Sequence, residues 1–177
     1  MSEFAVTAVG RDRPGIVAAI SGVLLELGGN IEDSRMSILR GHFAVMLIVE
    51  LPQEASRERL ASDLEGVRGR LGLEAIAVSE VETLDAGPGA EPTHVLTVYG
   101  ADRPGIVHGV TSLLAEHGVN ITDLSTQVAG GAQPVYVMML EVAVGDADEA
   151  ELRSALDAVA TSLAVDVSLR PLEAEAL

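Results

Sequence analysis

Gly10-Arg-Asp-Arg-Pro-Gly-Ile-Val17 returns as Gly100-Ala-Asp-Arg-Pro-Gly-Ile-Val107, and Gly28-Gly-Asn-Ile-Glu-Asp33 returns as Gly118-Val-Asn-Ile-Thr-Asp123. Both recurrences are offset by 90 residues. A period that long is a whole small domain rather than one turn of a solenoid. The 177 residues therefore divide into a first domain at 1–84, a linker at 85–92 and a second domain at 93–177. The linker, Asp85-Ala-Gly-Pro-Gly-Ala-Glu-Pro92, is rich in proline and glycine, which punctuate structure.

Working outward from the motif, Phe4–Val9 and His94–Tyr99 are short β-branched runs that read as first strands. Pro14 opens a helical pattern with Ile16, Val17, Ile20, Val23, Leu24 and Leu27 on one face, and Ile106, Val107, Val110, Leu113 and Leu114 repeat it. Gly28 and Gly118 fall where a left-handed glycine stops a helix. Second strands start at Asn30 and Asn120, and third strands run through Phe43–Val49 and Tyr136–Val142. Tyr136 follows Phe43 by 93 residues, so the second copy has gained three around Gly130–Pro134, lengthening its hairpin. Second helices are expected at Ser56–Leu71 and Asp148–Leu163, and last strands near Leu73–Val81 and Ala164–Leu169. Each half reads βαββαβ. The expected fold is α+β, two ferredoxin-like domains with antiparallel sheets and helices on one face.

Composition narrows the chemistry. Hydrophobic residues make up 48% of the chain, ample for two small cores, and Cys is absent, which removes disulfides, thiolate nucleophiles and sulfur metal sites. No apolar run reaches membrane-spanning length and Met1-Ser-Glu-Phe4 lacks a basic, apolar leader, so a soluble cytoplasmic protein without a membrane partner is expected. Net charge is −16 and all eleven basic residues are Arg. Residues 1–84 carry −5 and residues 85–177 carry −11. Such a chain repels phosphate backbones, so direct nucleic-acid binding is not expected. His42, His94, His108 and His117 form no metal-ligand spacing, the serines lack a nucleophile-elbow context, and the carboxylates are scattered. No metal, cofactor or catalytic residue is expected, and the chain reads as a non-enzyme.

The repeated turn has chemistry of its own. Proline suits a helix start, and Asp12 or its neighbour is placed to cap free amides and to complement the helix dipole. Gly15 lets another group approach the backbone. Free amides at a helix start suit a carboxylate, Asp12 can accept from an ammonium, and Asn30 at the adjacent second strand offers a donor and an acceptor. Together these make a minimal receptor for a free amino acid. The plainer alternative is that Asp, Pro and Gly simply build a good helix start.

Gly-x-Asp-Arg-Pro-Gly-Ile-Val followed by Gly-x-Asn-Ile resembles the signature of ACT domains, small regulatory modules that bind amino acids. The likeness covers nearly the whole chain. Asn30-Ile-Glu-Asp-Ser-Arg-Met36 with Gly41-His-Phe43 is similar, more narrowly, to the glycine cleavage transcriptional repressors, tandem-ACT regulators that act through a partner transcription factor. The second copy departs from that pattern at Thr122-Asp-Leu-Ser125 and in its Gly-rich hairpin, so its site need not match the first.

The resemblance implies a ligand held where two modules meet. The candidate residues are Asp12, Arg13, Pro14, Gly15 and Ile16 with Asn30 and Ile31, and Asp102, Arg103, Pro104, Gly105 and Ile106 with Asn120 and Ile121. It implies a small amino acid, glycine or serine foremost, and a protein partner such as a transcription factor or metabolic enzyme. Function would then lie in glycine or one-carbon metabolism. The two sheets are expected to join through edge strands, with a homodimer as a further expectation. Deformylases and phosphoserine phosphatases carry similar modules joined to catalytic domains, and none is recognised in this chain. A ligand-independent adaptor or dimerisation module is the alternative reading.

Overall fold

The computed structural model describes residues 1–81, 91–130 and 134–172. The linker expected at 85–92 lies largely outside the described residues, as do most of the lengthened hairpin and the acidic tail. The chain falls into two compact units, Met1–Asp85 and Ala86–Leu177.

The first unit runs β1 (Ser2–Arg11), α1 (Ile16–Glu26), β2 (Asn30–Leu39), β3 (His42–Leu51), α2 (Arg57–Leu71) and β4 (Leu73–Glu80). The second repeats it as β5 (His94–Gly100), α3 (Ile106–Glu116), β6 (Asn120–Ala129), β7 (Val135–Ala143), α4 (Glu149–Leu163) and β8 (Val165–Pro171). Each unit is one four-stranded antiparallel sheet, ordered β2-β3-β1-β4 and β6-β7-β5-β8. This is the expected α+β ferredoxin-like arrangement, with β2 and β6 as edge strands.

Period-two burial shows why the sheets are one-sided. Phe4, Val6 and Ala8 of β1 and Phe43, Val45, Leu47, Val49 and Leu51 of β3 are buried, while residues between them are open or half-open. The buried set packs with Ile16, Ile20 and Leu24 of α1 and Leu60, Leu64 and Val67 of α2. The second unit has its own core, in which Leu96, Val98, Met138 and Leu140 meet Ile106, Val110, Leu114, Leu152 and Leu156. Val17 and Val107, expected on the buried helix face, are instead 46% and 38% exposed. They follow the first core residue of their helix by about 100° and so turn outward.

Helix ends account for much of the local sequence. α1 and α3 stop as expected, at Gly28 and Gly118 in left-handed conformation. Gly28 N–H donates to the Leu25 carbonyl at 3.0 Å and Gly29 N–H to the Leu24 carbonyl at 2.8 Å, which satisfies the last turn. α2 and α4 start on side-chain caps. Ser56 Oγ accepts from Arg59 N–H, and Asp148 accepts from Ala150 and Glu151 N–H. The β2–β3 hairpin closes from Leu39 to His42 through Arg40 and Gly41, both at positive φ. Its counterpart closes from Ala129 to Val135, three residues longer.

Candidate functional site

The repeated motif forms the turn between first strand and first helix in both units. Its caps differ from expectation. Gly15 and Gly105 occupy the N-cap at φ 93° and 98°, and no side chain caps either helix. Asp12 and Asp102 are therefore not helix caps, and Pro14 and Pro104 precede the cap rather than opening the helix. The physical reason is conformational, since the turn enters the helix through a positive φ that glycine alone takes without strain. A Cβ at either glycine would meet nothing within 4 Å. Dihedral angle, rather than close approach of another group, is what requires glycine here.

Without a side-chain cap, the first-turn amides stay available to an external acceptor. The first intrahelical bonds come only at Ala19 N–H to the Gly15 carbonyl (2.9 Å) and Gly109 N–H to the Gly105 carbonyl (2.8 Å). Asp12 is held by its backbone, its N–H donating to the Gly41 carbonyl at 2.8 Å. Its side chain is exposed along with Arg13, Pro14 and Gly15, while Ile16 turns into the core. Asp102, Arg103, Pro104, Gly105 and Ile106 repeat that distribution.

The asparagines are elsewhere. Arg11 pairs with His42 at one end of the sheet, whereas Asn30 pairs with Glu50, itself opposite Glu3, at the other end. Eight residues of β3 separate the two places, about 26 Å of strand. Asn120 is likewise opposite Ala143, while Gly100 is opposite Tyr136. Within a unit, then, the loop and the asparagine do not face one another, and the receptor drawn from both in one module is corrected. Asn30 Nδ2 donates to Glu32 at 2.6 Å. Register shifts after Ile31 and after Ile121 mark a bulge in each edge strand, a device that re-aims nearby side chains.

At the loop end of the second unit lies an open cavity of about 610 Å³, lined by Asp102, Arg103, Pro104, Gly105, Ile106, Val107, His108, Thr111 and Tyr136. Six of these belong to the repeated motif, and five of the six, all but Val107, were candidate ligand residues. His108, Thr111 and Tyr136 were not, because they reach the cavity from the helix and from the third strand. Tyr136 is only 8% exposed, and Thr126 of β6 lies on the same face of the sheet, one pair along from it. Burial, with the nearby charge of Asp102, raises the pKa of this phenol above its ordinary value, which favours the neutral form, and outweighs the opposing effect of the neighbouring Thr126 hydroxyl. Thr111 Oγ1 donates to the Val107 carbonyl at 2.9 Å, and His108 Nδ1 lies 3.3 Å from Ser112 Oγ. A zwitterion's carboxylate is suited by the helix start and its ammonium by Asp102.

Among the described residues no group of three His, Asp or Glu side chains is placed to hold a metal ion. No helix among them is long and apolar enough to cross a membrane.

The ACT domain family profile matches residues 2–77 and 93–170. The glycine cleavage system transcriptional repressor of Escherichia coli is 29% identical over 163 residues, 89% of this chain and 84% of that protein. A UPF0237 protein of Methanopyrus kandleri is 41% identical over 81 residues, 45% of this chain and 90% of its own length. A crystal structure of an unknown protein from Galdieria sulphuraria superposes with a TM-score of 0.81 at 31% identity, covering 97% of this chain and 98% of that one.

Proposed function

The chain belongs to the ACT domain family, and from that premise we propose that it is a non-catalytic sensor of a small amino acid. The ligand carboxylate sits on the uncapped amides of a strand–helix turn and the ammonium on the adjacent aspartate. The asparagine half of the receptor comes from another module, since each unit holds its own at the far end of the sheet. The observation that carries the reading is the open cavity at the uncapped helix start of the second unit, which Asp102 lines together with the first-turn residues Ile106, Val107 and His108. Similarity to the glycine cleavage system transcriptional repressor over most of both chains supports a regulatory task, which we place in glycine or one-carbon metabolism, in the cytoplasm and through a protein partner. Glycine and serine are the first ligands to test.

Such regulation requires the ligand to favour one state of the protein over another. At a concentration about 100-fold above Kd, a ligand that binds only the folded protein adds about 2.7 kcal/mol. For a chain of this size that is a rise in Tm of about 5–10 °C. Thermal unfolding against a panel of the twenty amino acids is the test. Replacing Asp12, Asn30, Asp102 and Asn120 together by Ala removes the shift while the protein stays folded.

One observation favours a second reading. Gly15 and Gly105 are required by their dihedral angles alone, and a Cβ on Gly10 or Gly100 would press on Leu73 or Val165. Much of the motif therefore serves folding, as a ligand-independent adaptor would need. If no amino acid moves the Tm, that reading replaces the sensor.

A further inference from the structure

Four of the chain's eleven arginines meet at one end of the first sheet, although they come from three separate stretches of sequence. Arg11 ends β1 opposite His42, and Arg13 follows it in the turn. Arg40 sits in the β2–β3 hairpin beside Gly41, whose carbonyl accepts from Asp12 N–H at 2.8 Å. Arg70 lies in the last turn of α2, just before Gly72 and Leu73, and Leu73 pairs with Gly10. The guanidinium of Arg13 reaches across to that helix end, since a Cβ on Gly72 would lie 3.8 Å from its Nη2. No run of basic residues marks this end in the sequence. The fold assembles it.

All four arginines are exposed. Elsewhere in the unit Arg59 pairs with Asp63 and Arg68 with Glu65, but among the described residues Arg11, Arg13, Arg40 and Arg70 have no ion-pair partner. Asp12 and Glu74 are the acids at this end, so it carries +2 in a chain of −16. The second unit has no such end. Ala101 takes the place of Arg11 and Ser162 that of Arg70, the hairpin segment Gly130–Pro134 contains no Arg, and only Arg103 is kept. The shared fold therefore forms without these charges.

The dimensions of the row favour one kind of partner. Neighbouring strands lie about 4.8 Å apart, so from the β2–β3 hairpin across β1 to β4 the row is about 12 Å long. One phosphate or carboxylate meets only part of it. A nucleic acid draws its affinity from many phosphates in succession, and beyond this end its backbone would run along a surface of its own sign. An extended peptide advances about 3.3 Å per residue, so about four residues rich in Asp and Glu cover the row. Guanidinium forks suit carboxylates.

We propose that this end of the first unit is a docking surface for a short acidic segment of a protein partner. The proposal rests on the partner half of the regulatory reading and does not need an amino acid to bind, so the two can fail separately.

Fluorescence anisotropy of the full chain with a labelled peptide of alternating Glu and Ala, whose carboxylates share one face when extended, tests it. A Gln–Ala peptide of equal length is the neutral comparison. In about 0.01 M salt the Glu peptide binds and the Gln peptide does not, and about 0.1 M salt weakens the binding. The variants are compared at about 0.1 M salt, where the screening length is about 10 Å and distant charges count little. Arg11→Gln with Arg40→Gln is expected to weaken binding about tenfold, at roughly threefold for each exposed charge pair lost. Arg59→Gln with Arg170→Gln makes the same change in net charge away from this end and leaves affinity within about twofold. Tm confirms that the variants fold. No binding of the Glu peptide at low salt, equal binding of the Gln peptide, or equal weakening by the two pairs of substitutions overturns the proposal. So does displacement by inorganic phosphate at the peptide's own concentration, or tighter binding of a single-stranded oligonucleotide. Each of these leaves the amino-acid sensor standing, and a silent amino-acid panel removes the sensor while leaving this surface.

Discussion

At Tyr136 the chain's unusual composition makes a single side chain visible. The sequence contains no lysine, no cysteine and two tyrosines, so phenols dominate its titration at alkaline pH. The folded state favours the neutral form of Tyr136. Its contribution to stability is therefore complete below the ordinary phenol pKa, about 10, and is lost as pH rises through the higher folded value. A phenolate absorbance titration at 295 nm is expected to show a late component that disappears in Tyr136→Phe. Equilibrium unfolding between pH 9 and 12, a window set by the ordinary phenol value of about 10, should show the matching loss of stability in the parent chain alone. Gly15 is the second informative residue. Ala at φ +93° clashes with nothing in space but adopts a left-handed backbone, so Gly15→Ala is expected to cost about 1–2 kcal/mol. Chemical denaturation measures it, and an unchanged midpoint would contradict the strain argument.

Helix ends provide a comparison between the two units. α2 ends on Gly72 at φ 61°, whereas α4 ends on Ala164 at φ 53°, an exposed residue in the same left-handed conformation. Ala164→Gly is expected to stabilise the second unit by about 1 kcal/mol, read as a rise in denaturation midpoint. At the other end of α4, Asp148→Ala loses the bonds to Ala150 and Glu151 and is expected to cost about 1 kcal/mol.

Elements of this kind were legible in the sequence, because periods of two and 3.6, a Ser or Asp before the second helix and a glycine after the first are local signals. Two features were not read correctly. Asp12 looked like a cap because aspartate is a good one, but the positive φ at Gly15 moves the helix start three residues past it. Asn30 looked like a neighbour of Asp12, yet an eleven-residue helix lies between the motifs and carries the chain back about 16 Å towards the opposite end of the sheet. Tyr136 was hidden for another reason. It reaches the cavity from β7, beyond a hairpin whose length differs between the copies, so no fixed spacing from the motif points to it.

For the whole molecule, charge is the dominant property. A net −16, with −11 of it in residues 85–177, stresses the folded chain by self-repulsion. Raising monovalent salt from about 0.01 M to about 0.1 M shortens the screening length from about 30 Å to about 10 Å. Tm is expected to climb over that range, and a flat response would show that the carboxylates are locally balanced. The placement of Asp12 and Asn30 at opposite ends of a sheet also has a consequence in genetics. On the proposed reading, each module owns two half-receptors that do not serve one another. Consider a chain crippled at both aspartates, Asp12 and Asp102, and a second chain crippled at both asparagines, Asn30 and Asn120. Neither alone forms an intact receptor. Where receptors are built across chains, mixing the two defective proteins restores binding by complementation, and where each chain builds its own, the mixture stays as silent as its parts.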